Sequence, residues 1–250
     1  MQEIIRENTV LKLGPNPKGQ VIYFFGARHT NNPKDVQFIQ LKNFWDDFLS
    51  ESKTDKIVFV EREKIEGASK QYEETIIKNG EAGAAKYLAD ESGVEVMWPE
   101  PSREEQISFL CRYFKPQLVA YAFITRNLSS WFKHQRQSQF SDAVEHSIKK
   151  EAKFEKIYKF IPDTIWFNKQ HDKLFANQPV GDKNFLDSVT DPNKKDNTTV
   201  NKIIATLSEM RNDYIMEEIK KFFDLGKSIF VVYGKGHFIS LGPRIKELFK

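Results

Sequence analysis

Two histidines in this chain follow a glycine by three positions, and each such run closes a stretch fit for a buried strand. "VIYFFGARH" carries Gly26 and His29, and "SIFVVYGKGH" carries Gly234 and His237. Glu61 ends another strand-like run, "DKIVFVE", and Glu100 follows a third, "VEVMW". In open parallel α/β sheets, ligands bind outside the carboxyl ends of the strands, and these residues all stand at such ends. Two imidazoles and a carboxylate are also the ligand set of hydrolytic metal sites that keep one position open for water. Without a metal, the same trio is a histidine base oriented by a carboxylate. Glycine suits either chemistry, because it lets the chain leave a strand sharply and approach a ligand closely.

Such strand ends need a sheet to hold them. Runs at 20–25, 55–61, 94–98 and 228–234 are rich in β-branched and aromatic residues and read as strands. Between the first two, 32–52 has helical spacing, with Val36, Ile39, Phe44, Trp45 and Phe48 as its apolar face and Pro33 in its first turn. "EEQISFLCRYF" after the third run and "HFISLGPRIKELFK" after the last are also helical. Strand alternating with helix predicts an α/β fold with a central, mostly parallel β-sheet flanked by helices. The middle differs. From 115 to 175 the pattern is helical with few turn signals, which predicts a helical insertion or cap over about 115–200 within a single α/β domain of 1–250. "VTDPNKKDNTT" (189–199) reads as a loop. A long helix then runs from Val200 to Leu225, capped by Asn201 or a nearby threonine.

The 38 basic and 35 acidic side chains nearly cancel, and no basic arm or stripe tracks phosphates, so nucleic acid is not expected as a partner. The single cysteine, Cys111, excludes an internal disulfide and a multi-cysteine metal cluster. Neither a signal peptide nor a bilayer-spanning run is read, so the expectation is a cytoplasmic protein without a membrane partner. His134, His146 and His171 sit in polar helical surroundings and read as solvated, and Asp142 with His146 reads as a pair on a helix face. Cys111 reads as core. No Gly-x-Ser-x-Gly elbow or phosphate-cradling glycine loop occurs, which disfavours α/β-hydrolase serine chemistry and P-loop chemistry. On spacing alone, Arg211 is a surface arginine among Glu209, Asp213 and Glu217.

Taken together, "GARH", "FVE", "MRNDYIM" and "YGKGH" resemble the motif set of the TraB/TIKI superfamily, which includes TIKI-like metallopeptidases, erythromycin esterases and ChaN-like haem-binding proteins. The resemblance covers roughly 20–110 and 205–245, with Glu100 and "EEQ" (104–106) as a less specific third element. It implies that His29, Glu61 and His237 converge, with Arg211 nearby to orient a carboxylate or bind developing negative charge. One departure is Arg28, a large cation where relatives commonly carry a small or hydroxyl residue.

The expected function is hydrolysis of a peptide or a small-molecule ester. In the metal version His29, Glu61 and His237 hold a divalent ion (manganese, cobalt or zinc), and Glu100 serves as base or further ligand. In the metal-free version one histidine activates water and Glu61 orients it. A tetrapyrrole-binding module, as the ChaN-like proteins suggest, is the alternative from another class.

Overall fold

The computed structural model describes residues 9–62, 65, 71–133, 139–194 and 197–249. It is an α/β structure with one five-stranded sheet and, among the described residues, ten helices. Those residues fall into two compact units, Met1–Glu100 with Asn212–Lys250, and Pro101–Arg211.

The first unit holds the sheet: β1 (Thr9–Leu13), β2 (Ile22–Ala27), β3 (Lys56–Val60), β4 (Glu95–Met97) and β5 (Ser228–Gly234), in spatial order β1-β2-β5-β3-β4. β5 lies between β2 and β3 and is parallel to both, and β4 is parallel to β3. Only β1 is antiparallel, against β2. β2 and β5 are buried along their whole length, which explains their unbroken apolar runs. Alternate residues serve opposite faces. Tyr23, Phe25, Val58, Val60, Phe230 and Val232 join one core, and Ile22, Phe24, Ile57, Phe59, Ile229 and Val231 join the other.

On the first face lie α1 (Gln37–Glu51) and α2 (Tyr72–Glu91). The buried stripe of α1 is Phe38, Leu41, Trp45 and Phe48, spaced at helical intervals. Val36 and Ile39, expected in that stripe, are exposed, and Pro33 lies in the turn before the helix. α2 breaks at Gly80, whose φ of 57° is a conformation glycine adopts without penalty. On the second face, Ile215, Met216 and Ile219 of α9 (Thr199–Asp224) pack with Leu241 and Ile245 of α10 (Lys235–Glu247).

One contact at the sheet edge gives a pH-dependent stability. The Lys12 ammonium bonds the Glu51 carboxylate, and the Tyr23 hydroxyl donates to the same group at 2.8 Å. Burial pushes the Tyr23 hydroxyl up to about 12, so it stays a donor. The hydrogen bond from Lys12, then that from Tyr23, holds the Glu51 carboxyl below the usual carboxylate range. A carboxyl lowered on folding adds stability above its unfolded pKa, about 4.3 for glutamate, and loses it as pH falls through the folded value. Denaturant titrations at pH 6 and pH 3 should therefore show a smaller loss of stability for Glu51→Gln than for the wild type.

The second unit is helical: α3 (Arg103–Leu110), α4 (Pro116–Lys133), α5 (Phe140–Ala152), α6 (Glu155–Tyr158), α7 (Thr164–Phe175), α8 (Lys183–Thr190) and the first half of α9. The helical stretch expected over 115–200 lies inside it. Its core runs from Ile107 through Val119–Ile124 to Val200, Ile203, Ile204 and Leu207. Ser102 and Glu105 form a reciprocal capping box at α3. Thr198 Oγ1 accepts from the Asn201 N–H at 3.2 Å, so the threonine of the two expected types caps α9. Val189 and Thr190, expected in a loop, are buried in α8. Among the described residues, no helix is long and apolar enough to cross a membrane.

Candidate functional site at the carboxyl ends of the strands

His29 follows β2, Glu61 follows β3, Glu100 follows β4, and His237 stands in the first turn of α10 directly after β5. All four belong to the first unit. The pairing Ala27↔Gly234 puts the ends of the two Gly-x-x-His strands side by side.

The glycines of the two runs make room reciprocally. A Cβ on Gly26 would lie 2.9 Å from Cβ of Phe238, the residue after His237. A Cβ on Gly234 would lie 2.7 Å from His29 Nε2 and 3.1 Å from Glu61 Oε2. Each strand thus carries glycine at or next to its end, where the other run packs against it.

Glu61, Glu100 and His237 each present one ligand atom, and these atoms lie within 4.8 Å of one another. Glu61 Oε2 accepts from the Gly234 N–H at 2.8 Å, at the positive amino end of α10, where a carboxylate is favoured. Glu61 Oε1 faces His237 Nε2 at 3.3 Å. The other ring nitrogen, Nδ1, donates to Asn212 Oδ1 at 2.7 Å. In the neutral ring that bond leaves the lone pair on Nε2, aimed at a carboxylate oxygen. Two acceptors in that arrangement are reconciled by a proton or a cation between them. With Glu100 also buried to 8% exposure, this nitrogen/oxygen donor set fits a divalent ion. Glu100 stands between Pro99 and Pro101, whose rings restrict the backbone there.

His29 is not a member of that trio. Its ring flanks Gly234 beside Glu61, and its Nδ1 donates to Glu81 Oε1 at 2.5 Å. Its side chain is 59% exposed against 10% for His237, so His29 stands at the open side of the cluster. Glu81 directly follows the break at Gly80 and is itself nearly buried. Upstream, the buried Gln37 amide clamps the Arg28 peptide, accepting from its N–H at 3.0 Å and donating to its carbonyl at 2.9 Å. The Arg28 guanidinium turns to Asp35 at 2.8 Å.

Glu81, Gln37 and the role of Asn212 escaped the sequence reading. The glycine before Glu81 and the coupling of Asn212 to Arg211 in one motif were the available signals. Arg211 is buried on α9, one residue before Asn212, as the last residue of the second unit. Of the "EEQ" element, Glu105 caps α3 and Gln106 donates to the Pro101 carbonyl at 2.8 Å.

His171 corrects the expectation of a solvated side chain. It is buried on α7, takes a hydrogen bond from the Tyr121 hydroxyl at 2.6 Å on Nδ1, and donates from Nε2 to the Gln178 carbonyl at 2.5 Å. Both nitrogens are satisfied, so burial is tolerated. His146 is exposed as expected, and His134 lies outside the described residues. Cys111 packs against the helical core, and burial pushes its thiol up, away from the reactive thiolate.

Comparison of the chain with protein-family models, with curated proteins and with solved structures returns no match. The class is therefore defined by fold and site together: an α/β protein with a carboxylate–imidazole cluster at the carboxyl ends of parallel strands.

Proposed function

We propose that this protein is a hydrolase of peptide or ester bonds that uses a divalent ion held by Glu61, Glu100 and His237. The observation that carries this reading is the meeting of those three ligand atoms within 4.8 Å, with His237 Nε2 directed at Glu61. Glu61 and His237 also belong to the motif set that resembles the TraB/TIKI superfamily, with Glu100 as its less specific element. A bound manganese, cobalt or zinc ion would supply Lewis-acid activation of water near neutral pH.

The chain's own groups divide the remaining work. Asn212 fixes the tautomer and orientation of His237, as partners of metal-binding histidines do. The Gly234 N–H pins Glu61. His29, held through Nδ1 by Glu81, presents Nε2 on the Glu61 side and takes a proton from the attacking water. Glu81 then stabilises the imidazolium. Glu81→Gln keeps a hydrogen-bonding group but not the charge. It should lower turnover roughly tenfold while metal content stays unchanged.

The short His29–Glu81 contact also favours a second reading, a histidine-base esterase needing no metal. Elemental mass spectrometry of wild type and His237→Ala, purified without chelator, separates the two. About one manganese, cobalt or zinc per wild-type chain, lost in the variant, supports the metallohydrolase. A wild-type site that stays empty when ions are added back ends that reading. The visible spectrum of the same sample tests the tetrapyrrole alternative.

A further inference from the structure

Three consecutive residues after β2 meet α2 in reverse order around its break. His29 Nδ1 donates to Glu81 Oε1 at 2.5 Å. A Cβ on Gly80 would lie 3.1 Å from the Thr30 carbonyl oxygen, so the loop backbone lies directly against the break. Asn31 Nδ2 donates to the Ile77 carbonyl at 2.8 Å and reaches the Ile76 carbonyl at 3.4 Å.

The break needs that support. Gly80, at φ 57° and ψ −142°, turns the chain out of the helical ladder. A helix that stops leaves its last carbonyls without intrahelical donors, and these must bond elsewhere. The Asn31 amide supplies such a donor from outside the helix. The break also decides where Glu81 goes. Ile77, four residues earlier, is 56% exposed. In an unbroken helix Glu81 would share its face and stand in solvent. Past the break Glu81 is 8% exposed and bonded to His29. It opens the second half of α2, where the amino end of a helix favours a negative side chain.

We infer that Asn31 is a positioning residue for the His29–Glu81 pair. By holding the first half of α2 at its break, it fixes the point from which Glu81 reaches the imidazole. One loop therefore sets both the ring and its partner, and none of these residues belongs to the Glu61, Glu100 and His237 cluster. The effect on turnover rests on the reading of His29 as the base; the geometry of the pair does not. That geometry has a signature of its own. A neutral imidazole holds one proton, and the hydrogen bonds it makes decide which nitrogen carries it. Donation to Glu81 requires Nδ1–H, the form that an imidazole free in water disfavours.

Long-range proton–nitrogen NMR spectra of the full chain, recorded above the pH at which His29 titrates, read that tautomer, with His29→Gln assigning the signal. Wild type should show Nδ1–H at His29. Asn31→Asp keeps the side chain's shape but turns a negative charge towards two carbonyl oxygens, and Asn31→Ala removes the group. Each should move His29 towards Nε2–H and lower kcat about tenfold at little-changed KM, as loss of the groups behind a working side chain does. Thermal midpoints should stay close to that of the wild type. The inference is overturned if wild-type His29 carries its proton on Nε2, or if both variants keep the wild-type tautomer, whatever turnover does. It is equally overturned if the variants melt early along with the tautomer change, because the whole site would then have loosened. A changed tautomer in a stable variant with turnover intact supports the positioning role and removes His29 as the base.

Discussion

Glu61→Gln should lower turnover by about a thousandfold and empty the metal site, while leaving the fold as stable as the wild type. The glutamine carbonyl can still accept from the Gly234 N–H, which Glu61 Oε2 does now at 2.8 Å. Its amide group then faces His237 Nε2, where Glu61 Oε1 stands at 3.3 Å. A donor would replace an acceptor opposite the imidazole lone pair, so the cluster closes with an internal hydrogen bond and without a cation. Loss of Lewis-acid stabilisation worth several kcal/mol corresponds to about three decades in rate. Glu61→Ala makes the contrast. It leaves the Gly234 N–H without its carboxylate, at about 1–3 kcal/mol of stability, so both variants lose metal but only alanine unfolds earlier. Metal content, thermal midpoint and turnover on a peptide and ester panel decide it. Undiminished turnover in Glu61→Gln would remove Glu61 from the mechanism.

The strands that carry this cluster were legible in the sequence because burial on both faces demands unbroken apolar runs, as in β2 and β5. That demand also located Glu61 and the two histidines, since each follows such a run, whereas Glu100 follows the short, partly exposed β4. β1 was not legible. It is five residues with a mixed burial pattern, and its pairing depends on β2 rather than on its own composition. α2 escaped for another reason: alanine and glycine fill its buried side, so no strong apolar stripe marks it. Glu81 was hidden with it.

Side-chain direction was the deeper limit. Spacing placed His29 and His237 at equivalent strand ends, yet one pairs with Glu81 and the other faces Glu61. That difference arises from where Gly80 breaks α2 and from how Asn212 on α9 meets α10. Both are long-range packing outcomes. His171 shows the same effect on a helix. Asn168, Lys169, Asp172 and Lys173 make its surroundings polar in sequence, but the stripe it shares with Phe167 faces the core.

Gly234→Ala tests which histidine serves which purpose. Gly234 has φ −57° and ψ 148°, a backbone open to any residue, so alanine brings no conformational strain. Its effect is spatial. The new methyl would sit 2.7 Å from His29 Nε2, 2.9 Å from His29 Cε1 and 3.1 Å from Glu61 Oε2. Something must move, and the two neighbours differ in how easily they can. Glu61 is held by the Gly234 N–H and faces His237. His29 is 59% exposed and can swing outward. The expected result is a stability change of about 1 kcal/mol at most, below the roughly 1–3 kcal/mol of overpacking a closed core. Turnover should fall about a hundredfold, the contribution of a positioned base, with metal content intact. Loss of metal together with turnover would instead put His29 in the ligand set with Glu61 and His237, as the spacing of the two glycine–histidine runs first suggested. Unchanged turnover would exclude His29 from either role, because a ring displaced from beside Gly234 can neither ligate nor accept the proton.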